Sequence, residues 1–177
     1  MMPEPAATSM LSQVAIAVVA TILLLVASVN DIATRTIPDC IPIGLGALGI
    51  PVHLSNHDFT AALVASCAIF ILAGLCWRQG WLGGGDVKLI VACTWLASPV
   101  QVPTLVLGTA LAGGGLAGVY LGLCWMIRRS QAPATIARRR SFVARIYRVE
   151  RWRIGRHASL PYACAIAAAM LFTLYSG

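Results

Sequence analysis

Apolar residues run along this chain in six blocks, at about Leu11–Val29, Ile41–Leu54, Phe59–Trp77, Val87–Val102, Pro103–Ile127 and Ala158–Tyr175. About 20 apolar residues in a helix cross the hydrocarbon layer of a bilayer. The first, third, fifth and sixth blocks are long enough on that measure. The second and fourth are short, and length alone leaves them as spans, re-entrant segments or helices buried in a bundle. The pattern predicts an all-α polytopic membrane protein, a bundle of about six transmembrane helices forming one domain over residues 1–177.

Composition agrees with that solvent. Of 177 residues, 59% are hydrophobic and 11% are charged, where a soluble domain carries about a quarter charged. Residues 1–10 contain Glu4 and no Lys or Arg. A secretory signal begins with a basic segment, so the first block reads as a retained helix.

Charge then sets a topology. If all six blocks span, the connections 31–40, 78–88 and 128–157 share one side and hold every basic residue: Arg35, Arg78, Lys88 and ten arginines from Arg128 to Arg156. The opposite side has none. Because Lys and Arg accumulate in cytoplasmic loops, this arrangement is favoured, with both termini outside. The same bias accounts for the net charge of +7. Within the cytoplasmic loop 128–157, Phe142, Val143, Ile146, Tyr147 and Ile154 fall near helical spacing among arginines. That suits an amphipathic helix on an anionic leaflet, and a plain basic loop is an equal alternative. No nucleic-acid-binding module accompanies the charge, so membrane lipid rather than nucleic acid is the expected partner there.

The six cysteines stand singly, without a C-x-x-C pair, so neither a metal site nor a cofactor is signalled. In the fifth block Gly114, Gly118 and Gly122 recur every fourth residue. Small residues on one face let helices approach closely in lipid, and close packing is the expectation for them.

Only six residues are acidic: Glu4, Asp31, Asp39, Asp58, Asp86 and Glu150. An ionisable group near membrane depth is costly and marks a candidate functional site. With six spans, Asp31 ends the first helix and Asp86 begins the fourth, so both lie at one membrane face. Two carboxylates brought together in a poorly solvated site share a proton. One can then activate water while the other hydrogen-bonds a carbonyl. The plainer reading is helix capping. It is reasonable for Asp86 ahead of Val87 but explains nothing for Asp31, whose helix end opposes a negative charge. Gly83, Gly84 and Gly85 ahead of Asp86 clear the approach for a substrate backbone and allow conformations closed to other residues. A phosphate-binding loop is excluded, because no Gly-Lys-Ser/Thr follows.

The run Gly83-Gly84-Gly85-Asp86, continuing Val87-Lys88-Leu89, resembles the GxGD motif of the type IV prepilin peptidases. Asp31 with its downstream Ile37-Pro38-Asp39 resembles the first aspartate of that family. Leu160-Pro161-Tyr162, opening the last block, is similar to a third element. The likeness covers about residues 25–170. It implies an aspartic endopeptidase of the bacterial inner membrane, with its active site facing the cytoplasm. Its substrate would be a prepilin-like protein, whose short basic leader is cut after a glycine, and pilus assembly machinery would be a partner. Asp31 and Asp86 would be the catalytic pair. Gly83, Gly84, Gly85 and Lys88 would position the loop or the substrate, and Asp39 is a loop or helix-start residue. Larger members also carry N-methyltransferase activity and paired C-x-x-C motifs in an insert. With only Asn30 to Cys40 between its first two blocks, this chain resembles the short forms of Flp/Tad-type pilus assembly. No methyltransferase activity, metal or cofactor is expected.

Two alternatives stand beside this. A presenilin-like GxGD protease would have a tyrosine before its first aspartate and a Pro-Ala-Leu element. Here Asn30 precedes Asp31 and Pro-Ala-Leu is absent. A small transporter or assembly subunit without enzymatic activity would instead use Asp31 and Asp86 as proton or cation sites along a path across the membrane.

Overall fold

The computed structural model describes residues 5–129 and 161–176. They form six helices: α1 (Pro5–Thr34), α2 (Cys40–Asn56), α3 (Phe59–Arg78), α4 (Gly84–Leu96), α5 (Val102–Arg129) and α6 (Tyr162–Ser176). A 3-10 turn, Pro99–Gln101, joins α4 to α5, and there is no strand among the described residues. The protein is a helical bundle of membrane type, as the apolar blocks predict. The arginine-rich loop, and the amphipathic helix expected in it, lie outside the described residues beyond Arg129.

Local signals end each helix. Arg35 follows α1 with φ 58°, His57 follows α2 with φ 55° and Gly80 lies just beyond α3 with φ 76°. A left-handed residue at this position turns the chain and lets the last carbonyls find donors. After α3 the N–H of Gly80 reaches the Trp77 carbonyl and that of Trp81 reaches the Cys76 carbonyl. Beyond α4, Ala97 is extended and Pro99 follows, which divides the fourth apolar block into a short helix and a turn.

The helices are of two kinds. Met10–Thr34, Phe59–Arg78 and Pro99–Leu123 are long and apolar enough to cross a membrane. Helices α2, α4 and α6 have 17, 13 and 15 residues. At about 1.5 Å per residue, none of the three reaches the roughly 30 Å of a hydrocarbon layer. The last block was expected to span without difficulty, yet its described helix begins only at Tyr162, after Pro161.

Of the short helices α4 is the most enclosed, while α2 and α6 each keep an exposed face. Helix α4 packs on α2, α3 and α6, and α6 packs on α1, α4 and α5. Leu24, Leu45, Leu89, Cys93, Leu105, Ile166 and Met170 are fully enclosed among them. Outward residues of the long helices stay apolar, as at Ile22, Leu25, Val64, Ile71, Leu107 and Leu111. An apolar exterior around a packed interior is what a lipid solvent permits and water does not.

Close approach comes from residues the glycine repeat did not mark. A Cβ on Gly108 would stand 3.2 Å from the Cβ of Ala169, and one on Gly113 would stand 2.6 Å from the Tyr162 hydroxyl. These contacts seat α5 on α6. Gly114, Gly118 and Gly122 are exposed, and no described atom lies within 4 Å of their Cβ positions. The packing expected of that repeat is therefore not made among the described residues. A four-residue spacing says that residues share a face and leaves open which face the bundle covers.

Trp95, in the last turn of α4, fastens the opposite end from Asp86. Its indole N–H donates to the Gly46 carbonyl at 3.0 Å, and its ring occupies space that a Cβ on Gly49 would need. His53 and Phe59 meet the indole edge-on, with ring centroids 5.1 and 5.2 Å away. His53 is fully buried. It bonds the Asp58 carboxylate at 2.7 Å and the Trp95 carbonyl, so Asp58 is engaged in tying α2, α3 and α4 together.

Candidate active site

Asp31 lies in the last turn of α1, and its carboxylate reaches across the bundle to α6. It is 6% exposed. Its Oδ2 accepts a hydrogen bond from the Ala163 N–H at 3.1 Å. Ala163 is the second residue of α6, where N–H groups lack partners within the helix and a partial positive charge favours a carboxylate. The view that capping explains nothing about Asp31 is thus corrected. It caps a different helix from its own, one that Pro161, with no N–H to offer, introduces.

Asp86 is the third residue of α4. Gly83 holds the N-cap position, so Asp86 contributes to the cap from the third helical position and not from the N-cap that its place before Val87 suggested. Its Oδ2 accepts from the Gly83 N–H at 3.3 Å, reaching back over the first turn. Burial is the main influence on its acidity, with the nearby Asp31 charge second, and together they raise its pKa to about 6. The Gly83 hydrogen bond and the Arg35 charge act in the opposite direction without cancelling them.

Both aspartates line one cavity of about 250 Å³. Arg35, Asp39, the three glycines and Lys88 complete much of its wall. The co-location inferred from charge placement is present in the structure.

The glycines act through space rather than through unusual backbone. Gly84 and Gly85 are the first helical residues of α4, and Gly83 is extended at φ −75°. None uses the conformational freedom that glycine allows; among the described glycines only Gly80 has a positive φ. A Cβ on Gly83 would fall 2.9 Å from Asp86 Oδ2. One on Gly85 would press on Ile37 at 3.3 Å, and one on Gly84 would make an ordinary contact with Trp77 at 3.6 Å. Gly83 is therefore the position that fixes where the Asp86 carboxylate can lie.

Lys88 donates from Nζ to Asp39 Oδ1 at 2.7 Å, and both side chains are exposed at the cavity rim. Asp39 is thus an ion-pair partner as well as the residue ahead of α2. The cation that acts on Asp86 is Arg35, which the sequence reading did not single out. Its N–H bonds the Asp31 carbonyl at 2.9 Å. Its left-handed backbone aims the guanidinium inward, where it donates to the Tyr120 hydroxyl at 3.4 Å. The four-residue spacing from Asp31 to Arg35 was the available signal, since such pairs neighbour each other on a helix. Ala163 offered none, because its contribution is a backbone N–H.

Two carboxyl groups in one confined cavity, one held protonated to an unusually high pH, can divide acid and base roles between them. A search among curated proteins and another among solved structures each found no match. The model of the type IV leader peptidase family matches residues 18–118, more than half of the chain. That stretch takes in Asp31, the three glycines and Asp86, and stops before Pro161 and Tyr162. The chain belongs to the type IV leader peptidase family.

Proposed function

We propose that the protein is an aspartic endopeptidase that removes the short leader of prepilin-like proteins, cutting after a glycine at the cytoplasmic face of the inner membrane. The observation that carries this reading is the single cavity lined by both Asp31 and Asp86. Asp86, with its pKa raised to about 6, is the proton-bearing member and donates a hydrogen bond to the scissile carbonyl oxygen. Asp31 takes a proton from the water that attacks the carbonyl carbon. The tetrahedral species then collapses as the leaving nitrogen accepts a proton, and the pair returns to its shared-proton form. No covalent bond to the enzyme is needed. The short first connection and the absence of paired cysteines support cleavage without N-methylation. A transporter needs its acids along a path across the membrane, and a common cavity at one end of the bundle disfavours that alternative.

Co-expression with a prepilin, followed by gel analysis of its mature form, tests the proposal. Wild type should convert the precursor, and Asp31→Asn and Asp86→Asn should each leave it uncleaved while the variant stays in the membrane. Processing that survives either substitution removes that residue from the mechanism. Mass spectrometry of the product should find an unmethylated amino terminus.

A further inference from the structure

The aspartate cavity holds more charge than its two proposed catalytic groups. Among the described residues its wall carries three carboxylates, Asp31, Asp39 and Asp86, and two cations, Arg35 and Lys88. Lys88 donates from Nζ to Asp39 Oδ1 at 2.7 Å, which joins the fifth residue of α4 to the residue ahead of α2. Both side chains are more than half exposed, so the pair is a weak tie for the fold. Its place matters more than its strength. While paired, the two charges cancel at a distance. What then surrounds the shared proton is Asp31, Asp86 and Arg35, two carboxylates against one cation, and one proton makes up the balance. Tyr162 and Cys164 on α6 also lie within the field of Asp86, but phenol and thiol groups are uncharged near neutral pH. If the pair were broken, either partner would leave a whole extra charge on the cavity wall. A charge so placed changes which protonation state of a carboxyl group is favoured.

Resting on the leader-peptidase reading, we propose that Asp39 and Lys88 are positioning residues for that proton: each cancels the charge of the other, and the cavity thereby keeps one proton on the Asp31–Asp86 pair at the pH of cleavage. Neither residue touches the reacting atoms. They act through Asp86, and the sign of the effect differs between them.

The test is the pH at which Asp86 gives up its proton, measured in detergent at low salt, where exposed charges are least screened. Two readouts follow it: the alkaline limb of kcat/KM on a prepilin, and the infrared band of a protonated carboxyl group that Asp86→Asn removes. Lys88→Gln leaves the Asp39 charge uncancelled and should move both to higher pH by about half a unit. Asp39→Asn leaves the Lys88 charge uncancelled and should move both to lower pH by a similar amount. In the double variant Asp39→Asn/Lys88→Gln the midpoint should return to that of wild type, and added salt should shrink both single shifts. A purely structural tie would instead weaken activity or stability in both single variants with no displacement along the pH axis. That result overturns the inference, as do shifts of one sign in both single variants or a double variant that does not return. An equal shift in Arg78→Gln, which removes an exposed cation at the end of α3 outside the cavity, overturns it as well. If wild type cleaves no prepilin, the peptidase reading fails, and the infrared midpoints alone decide whether the pair sets the proton on Asp86.

Discussion

Asp86, whose pKa is raised to about 6, should give the proposed peptidase a falling alkaline limb. In the proposed mechanism the working form holds one proton between the two aspartates. As pH rises through about 6, Asp86 loses that proton, and kcat/KM should drop by about tenfold per pH unit beyond it. Arg35 lowers the value, so removing its charge makes ionisation harder. In Arg35→Gln the limb should move to higher pH, a displacement along the pH axis that a merely damaged fold would not produce. The glycines divide in a similar way. Gly83→Ala should cut activity strongly with the bundle intact, because its Cβ displaces the Asp86 carboxylate. Gly84→Ala should be tolerated, and Gly85→Ala should fall between them. Measuring activity beside thermal stability in detergent separates these outcomes. At this scale the aspartates were legible because acids are so scarce in the chain. Arg35 was passed over, since at the end of α1 it reads as one more basic residue of a cytoplasmic loop, although it lies four residues beyond Asp31.

Helices cohere here through a few close contacts, and glycine marks them only where another helix is near. Gly49→Ala should destabilise the bundle by about 1–3 kcal/mol, because the new methyl meets the Trp95 indole. Gly114→Ala should instead be neutral or stabilise by up to about 1 kcal/mol, through helix propensity alone. Thermal unfolding of both variants in one detergent checks the contrast. Block boundaries gave most of the element order, and Pro99 and Gly80 fell where helices stop. What the pattern misjudged was reach. The last block reads as a span, but its described helix starts only after Pro161, and the fourth is shortened by Pro99. Likewise, the Gly114 repeat was readable as a face but not as a covered one.

Across the whole molecule, three long apolar helices pack with three shorter ones, and the two aspartates come from one of each kind, Asp31 from α1 and Asp86 from α4. Helix α4, the shortest at 13 residues, is also the most enclosed, and its first turn lines the aspartate cavity. Charge counting placed Asp31 and Asp86 at one face without any knowledge of packing. The partner of Asp31 was invisible to it, because the bond to Ala163 joins residues 132 positions apart. That bond also orders events in time. During synthesis Asp31 emerges early, while the N–H that holds it belongs to a helix made much later, 132 residues on. Until α6 arrives, the nascent chain has both carboxylates but not the bond that holds Asp31, so the proposed peptidase activity would report that α6 is in place. A chain stopped after Arg156 should be inactive, and supplying residues 157–177 as a separate polypeptide should restore cleavage.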